Sequence, residues 1–193
     1  MSKKFIAGNR YLSEAETINN AEIVYSYFVG DHGWTLNACA GMLGNMEHES
    51  GVNPGIWQNL TPFPEDPIQS GYGLIQWTPY TVYADWAGSG WENNGLKQCD
   101  RIWWEVLHEG VAWIQTSRFP ISFANFIKST DSPSLCAEIF YFNRERGPSE
   151  NFNTQPELAE KWYEYLNGKP FVPYGGKLPI WLLGYVGNRW WRK

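Results

Sequence analysis

The chain has 193 residues, 43% of them apolar, which is enough for one sizeable core and excludes a disordered composition. Fifteen Lys and Arg against twenty Asp and Glu leave a formal charge of −5, so nothing offsets repulsion from phosphates and nucleic-acid binding is not expected. Cys39, Cys99 and Cys136 are odd in number and lack CxxC spacing, which argues against a disulfide framework or a zinc knuckle and for small buried hydrophobes.

Ile23, Val24, Tyr27 and Phe28 recur at helical spacing and predict a helix over 18–29, ended by Gly30. Thr35 reads as the N-cap of a second helix running to about Glu49, with Leu36, Cys39, Leu43 and Met46 on its apolar side. From 50 to 78 the pattern breaks. Pro54, Pro62, Pro64, Pro67 and several glycines predict a long loop with a small β-hairpin, and a loop that long in a compact domain is usually functional. Thr78-Pro79 predicts a third helix start and Gly88 its stop. Leu96, Cys99, Ile102, Trp103, Val106, Leu107 and Ile114 predict the longest helix, over 96–115. Ser132-Pro133 opens a helix through Phe142, and Thr154-Gln155-Pro156-Glu157 has the form of a capping box for a last helix ending at Gly168. Residues 169–193 are rich in Pro, Gly and aromatics without a helical period, and are expected to be a C-terminal appendage to a domain at 1–168. Phe171, Tyr174, Trp181, Tyr185, Trp190 and Trp191 make it too apolar to float free, so it should dock on its own domain or on a neighbouring protein.

Two strings carry the chemistry. Glu49-Ser50-Gly51-Val52-Asn53-Pro54 sets a carboxyl at a helix C-terminus, where the dipole disfavours its ionised form. A raised pKa is what a general acid working at neutral pH needs. Gly71-Tyr72-Gly73-Leu74-Ile75-Gln76-Trp77 sets an aromatic ring and an amide between glycines, suited to close approach of a flat sugar. Twelve Trp and eleven Tyr fit either sugar stacking or core packing. Glu47 competes with Glu49 for the acid's place. Two residues turn a helix by about 200°, so one cleft cannot take both, and the apolar period does not choose between them. His32, His48 and His108 do not form a metal set, and Met46-Glu47-His48-Glu49-Ser50 holds only one His, so no metal and no cofactor is expected.

In this order and spacing, the two strings resemble the lysozyme superfamily, where the acid reads Glu-Ser-x-x-Asn at a helix end and a β-region closes with a Gly-(Ile/Leu)-x-Gln string on the cleft floor. The stretch from Gly44 to Gln58, followed by Gly71 to Pro79, is similar more narrowly to the phage tail lysozymes, domains carried on phage tails to open peptidoglycan. Phe140-Tyr141-Phe142-Asn143-Arg144-Glu145-Arg146 echoes the Phe…Glu-Arg of that family.

The resemblance implies a mainly α, lysozyme-like α+β fold with a small β or irregular insertion after the catalytic helix. It implies Glu49 as the acid that protonates a β-1,4 bond between N-acetylmuramic acid and N-acetylglucosamine. It also implies substrate contacts among Ser50, Asn53, Trp57, Gln58, Tyr72, Gly73, Gln76 and Trp77. Animal-type lysozymes set an Asp where this chain has Gly71; Asp66, with its neighbour Glu65, and Glu145 are the candidates for a second carboxylate. Goose-type lysozymes and lytic transglycosylases also lack that Asp, so hydrolysis and non-hydrolytic cleavage both stay open. The opening MSKKFIAGNR lacks an apolar signal segment, and the apolar run near 180–186 is too short to span a membrane. The expected setting is a virion tail, with peptidoglycan strands and other tail proteins as partners. A non-catalytic tail plug and an endolysin acting at lysis are the rivals.

Overall fold

A computed structural model describes residues 2–65 and 67–175. Among the described residues seven α-helices run in chain order: α1 Glu14–Tyr25, α2 Leu36–Ser50, α3 Thr81–Ala87, α4 Gly95–Leu107, α5 Phe123–Phe126, α6 Pro133–Phe140 and α7 Gln155–Leu166. Short π-helical turns, Ser26–Asp31 and Tyr141–Glu145, continue α1 and α6. The fold is mainly α, as the sequence leads one to expect.

α2 is the centre. Thr35 caps it as predicted, its side chain accepting from the Ala38 N–H at 3.2 Å. Every residue from Ala38 to Met46 is buried, so the helix is covered on all sides and has no single apolar stripe. That is why the apolar period alone cannot separate Glu47 from Glu49. α6 and α7 lie directly on it. A Cβ at Gly41 would stand 2.6 Å from the Cys136 backbone, and one at Gly44 would stand 2.5 Å from the Gln155 carbonyl. Only glycine permits crossings that close.

Several boundaries move. α1 begins at Glu14, because Ser13 and Glu16 form a capping box in which the Ser13 N–H donates to Glu16 Oε2 at 2.9 Å. α3 starts at Thr81 rather than Pro79, since Tyr80 N–H is spent on the Ser70 carbonyl at 3.0 Å; it ends at Gly88 as predicted. α4 stops at Leu107, eight residues short of its expected end, and α2 is the longer helix. Gly110 takes φ +83°, and Ile114 N–H leaves the helical path to donate to the Asn143 carbonyl at 2.8 Å. Leu107 and Ile114, expected on the buried stripe, are therefore exposed. The capping box expected at Thr154 does not form. Thr154 has φ −93° and ψ −17°, and its hydroxyl bonds His48 Nδ1 at 2.9 Å instead.

The 50–78 loop has the expected β character only as single bridges, Trp57 with Tyr72 and Tyr72 with Trp77, both antiparallel. Of the C-terminal segment, residues 169–175 lie against the domain. The Phe171 ring is 5.0 Å from Tyr25, Val172 N–H donates to Ser26 Oγ at 2.8 Å, and buried Tyr174 donates to Asp31. Trp181, Tyr185, Trp190 and Trp191 lie outside the described residues. No helix among the described residues is long and apolar enough to cross a membrane.

Candidate active site

The end of α2, the 50–78 loop and the Tyr141–Glu145 turn enclose a cleft of about 640 Å³. Glu49 reaches it from the last turn of α2, and Glu145 lines it from the turn after α6. Glu47 points elsewhere: its Oε1 pairs with Lys161 of α7 at 3.2 Å. Burial raises the Glu49 carboxyl above its ordinary pKa. Glu145 as a whole is half-buried, but its Oε1 has no access to solvent and no hydrogen-bond partner. Burial pushes its pKa up to about 8; the Arg144 charge pulls the other way, and the Glu49 and Glu105 charges add to the rise.

The two sequence strings are clamped to each other. Ser50 Oγ lies 2.9 and 2.8 Å from the Met46 and Leu74 carbonyls, which share its one proton, joining the acid's helix to the second string. Asn53 is fully buried; its amide donates to the Gly8 and Arg10 carbonyls at 2.8 and 2.7 Å, and its oxygen accepts from Gly55 N–H at 2.9 Å. Neither side chain has a free group to offer a sugar. The sequence expectation of substrate contact at Ser50 and Asn53 is therefore corrected: both are supports.

Tyr72 and Gly73 are corrected in the same way. Tyr72 is 1% exposed and accepts from the Asn93 N–H at 2.8 Å, and its ring sits in a cluster with Trp57, Tyr83 and Trp91. Gly73 takes φ +79° with Gln98 so near that a Cβ would stand 2.5 Å from it. Trp57, Gln58, Gln76 and Trp77 do line the cleft. Trp57 and Trp77 are almost wholly buried, so they offer edges rather than open faces for stacking. Gln76, at φ +46°, donates to the Gly73 carbonyl at 3.0 Å. Asp66 lies outside the described residues.

Gly71, standing where an Asp occurs in animal-type lysozymes, is crowded. A Cβ there would lie 2.8 Å from Gln76 Oε1 and 3.0 Å from Thr78 Oγ1. Gly71→Asp should therefore displace Gln76 and lower stability by about 1–3 kcal/mol, read as a fall in melting temperature. An unchanged melting temperature would mean that the loop has room for a carboxylate.

Sequence reading missed the cleft's foundation. Gln98, Arg101 and Glu105 share one face of α4. Gln98 Oε1 accepts from Leu74 N–H at 2.8 Å and its Nε2 donates to the Pro54 carbonyl at 2.7 Å, tying both strings to α4. Glu105 is fully buried and binds Arg101 Nε at 3.0 Å, Arg144 Nε at 2.8 Å and Trp77 Nε1 at 3.2 Å. The readable signal was a polar i, i+3, i+7 row beside the apolar stripe of the helix. Among the described residues no group of three or more His, Cys, Asp or Glu is placed to hold a metal ion.

Glu49 at the end of α2 and Glu145 on the turn after α6 thus line one cleft. The phage tail lysozyme family matches residues 19–166. The chain belongs to that family. It is also 42% identical over 171 residues to morphogenesis protein 1 of Bacillus phage B103, an alignment covering 86% of this chain and 44% of that protein. The chain thus spans less than half of that relative's length. This phage lysozyme-like protein keeps the lysozyme-like, mainly helical plan, with Glu49 and the Gly71–Trp77 string inside the matched stretch.

Proposed function

We propose that this protein cleaves the β-1,4 bond between N-acetylmuramic acid and N-acetylglucosamine in peptidoglycan, as part of a phage tail that opens the wall. The observation that carries the reading is Glu49, a carboxyl at the end of α2 whose pKa burial raises, facing a cleft large enough for a glycan segment. Glu49 gives its proton to the glycosidic oxygen as the C1–O bond breaks. Gln58, Gln76 and the edges of Trp57 and Trp77 line the glycan's path, while Ser50, Asn53, Tyr72 and Gly73 hold its walls. Glu145 is the second carboxyl among the described residues of the cleft; Asp66 remains the alternative for that place. The B103 relative's name, morphogenesis protein 1, supports a role in particle assembly, and with it a place in the virion and contact with other tail proteins.

Digestion of purified wall, with mass spectrometry of the products, tests this reading. Reducing muramic ends would mean hydrolysis and 1,6-anhydro ends lytic transglycosylation; either supports glycan cleavage. Intact glycan, with binding retained, would turn the reading to a non-catalytic tail module. Antibody detection in purified particles tests the tail setting; presence only in lysates would favour an endolysin.

A further inference from the structure

Of the three carboxyls in or under the cleft, only Glu105 has cations among its described contacts. Glu105 has two, Arg101 Nε at 3.0 Å and Arg144 Nε at 2.8 Å, and Arg144 also turns an amino group to Glu105 at 3.3 Å. Glu145 stands next to Arg144 in sequence yet receives none of its hydrogen bonds. Its Oε1 is sealed from solvent and lacks any partner, although the residue lines the cleft. That oxygen has no exposed surface, the Arg144 guanidinium is directed at Glu105, and a further carboxyl, Glu49, lines the same cleft. An ionised Glu145 would be a buried charge with no compensation, which proteins avoid by holding the proton.

We propose that Glu145 enters the cleft as a neutral carboxylic acid, its sealed Oε1 the carbonyl oxygen and its other oxygen carrying the proton, and donates that O–H to an acceptor oxygen of the bound glycan. This rests on the reading of Glu49 as the acid. It assigns Glu145 to substrate recognition and removes it as a base or nucleophile. A carboxyl O–H finds its best acceptor on an acetamido sugar in the amide carbonyl. The Glu105 anchor positions the donor: by holding Arg144 it fixes the turn that carries Glu145 and keeps the guanidinium from ionising it.

Around Glu145 stand Glu49 and His48 from α2, Arg101 and Glu105 from α4, and Tyr141, Arg144 and Arg146 on or beside its own turn; Arg144 and Arg146 favour its ionised form, and Glu49 and Glu105 the neutral one. Glu105 has its ion pairs, whereas Glu49 and Glu145 have none among the described contacts, and burial pushes the Glu145 pKa up to about 8.

The test is kcat/KM on purified, soluble wall glycan for wild type, Glu145→Gln, Glu145→Leu and Glu49→Gln across pH 5–9. Loss of one hydrogen bond from a desolvated site is about 10–100-fold, so Glu145→Leu should lose that much, mostly in KM. Glu145→Gln keeps an N–H donor and should recover most of that loss. The alkaline limb of the Glu145→Gln profile should stay where wild type has it, because a neutral group has been replaced by a neutral one. A Glu145→Gln loss as deep as that of Glu145→Leu, with the alkaline limb moved to lower pH, would identify an ionised Glu145 that had been raising the pKa of Glu49, and overturns the proposal. So does a Glu145→Leu enzyme with undiminished kcat/KM. Those two results leave Glu49 as the acid, provided that Glu49→Gln is inactive; wild-type turnover by Glu49→Gln overturns both readings together.

Discussion

Glu49→Gln should lower turnover of purified wall glycan by roughly 10²–10⁴-fold, the range for loss of a general acid, while leaving the fold intact. The amide is nearly isosteric and Glu49 has no ion pair to break among the described contacts. The pH dependence has a definite sign. A carboxyl whose folded pKa is raised is most favourable to the fold below its unfolded pKa, and that advantage is lost as pH rises through the folded value. Glu49 is raised by burial, so the ionised form is a penalty near neutrality. Glu49→Gln should then be as stable as wild type or slightly more so at pH 7, with the difference closing toward pH 4. Glu47→Gln provides the contrast. It removes a pair whose Lys161 side is half exposed, about 0–1 kcal/mol, and should change turnover little. Glycan release and melting temperature, measured on the same preparations, check both. Equal activity losses at 47 and 49 would sink the assignment, and a clear drop in melting temperature for Glu49→Gln at pH 7 would mean that the carboxylate holds a structural contact.

What could be read from the sequence is what short-range physics decides. The Thr35 cap, the Gly88 stop and the Ser132-Pro133 start each depend on a few neighbouring residues, and the fold realises all three. The two strings around the cleft were legible because their residue types and spacing are unusual. Their division of labour was not. Ser50 and Tyr72 look like sugar contacts until the fold brings Leu74 onto one and Asn93 onto the other. The same holds for Thr154, whose hydroxyl would cap its helix had α2 not delivered His48 to it. α4 ended early because Ile114 found a partner at Asn143, twenty-nine residues on, that no local window contains. The cleft's foundation was invisible for the same reason: Glu105 and Arg144 are 39 positions apart, and only the packing of α4 against the turn after α6 makes them neighbours.

That foundation gives the second large expected effect. Glu105→Gln should destabilise the protein by about 3–5 kcal/mol, because it leaves the Arg101 and Arg144 guanidiniums buried without their counter-charge. At about 2–4 °C per kcal/mol for a chain of this size, the melting temperature should fall by roughly ten degrees. Chemical denaturation at pH 7 measures it directly, and a loss below about 1 kcal/mol would mean that the triad is not desolvated as its burial indicates. A second variant separates stability from positioning. Replacing all three charged residues by apolar side chains of similar volume, Arg101→Leu, Glu105→Leu and Arg144→Met, removes the charges together, and such replacements are often neutral or stabilising. If the triple variant regains the lost stability, the triad is not there to hold the fold. Its remaining work is then geometric: Glu105 holds the Trp77 indole at 3.2 Å on one side and the Arg144 turn that carries Glu145 on the other. The triple variant should therefore melt near wild type yet lose much of its kcat/KM. Stability and activity returning together would instead mean that Trp77 and Glu145 are placed by packing alone.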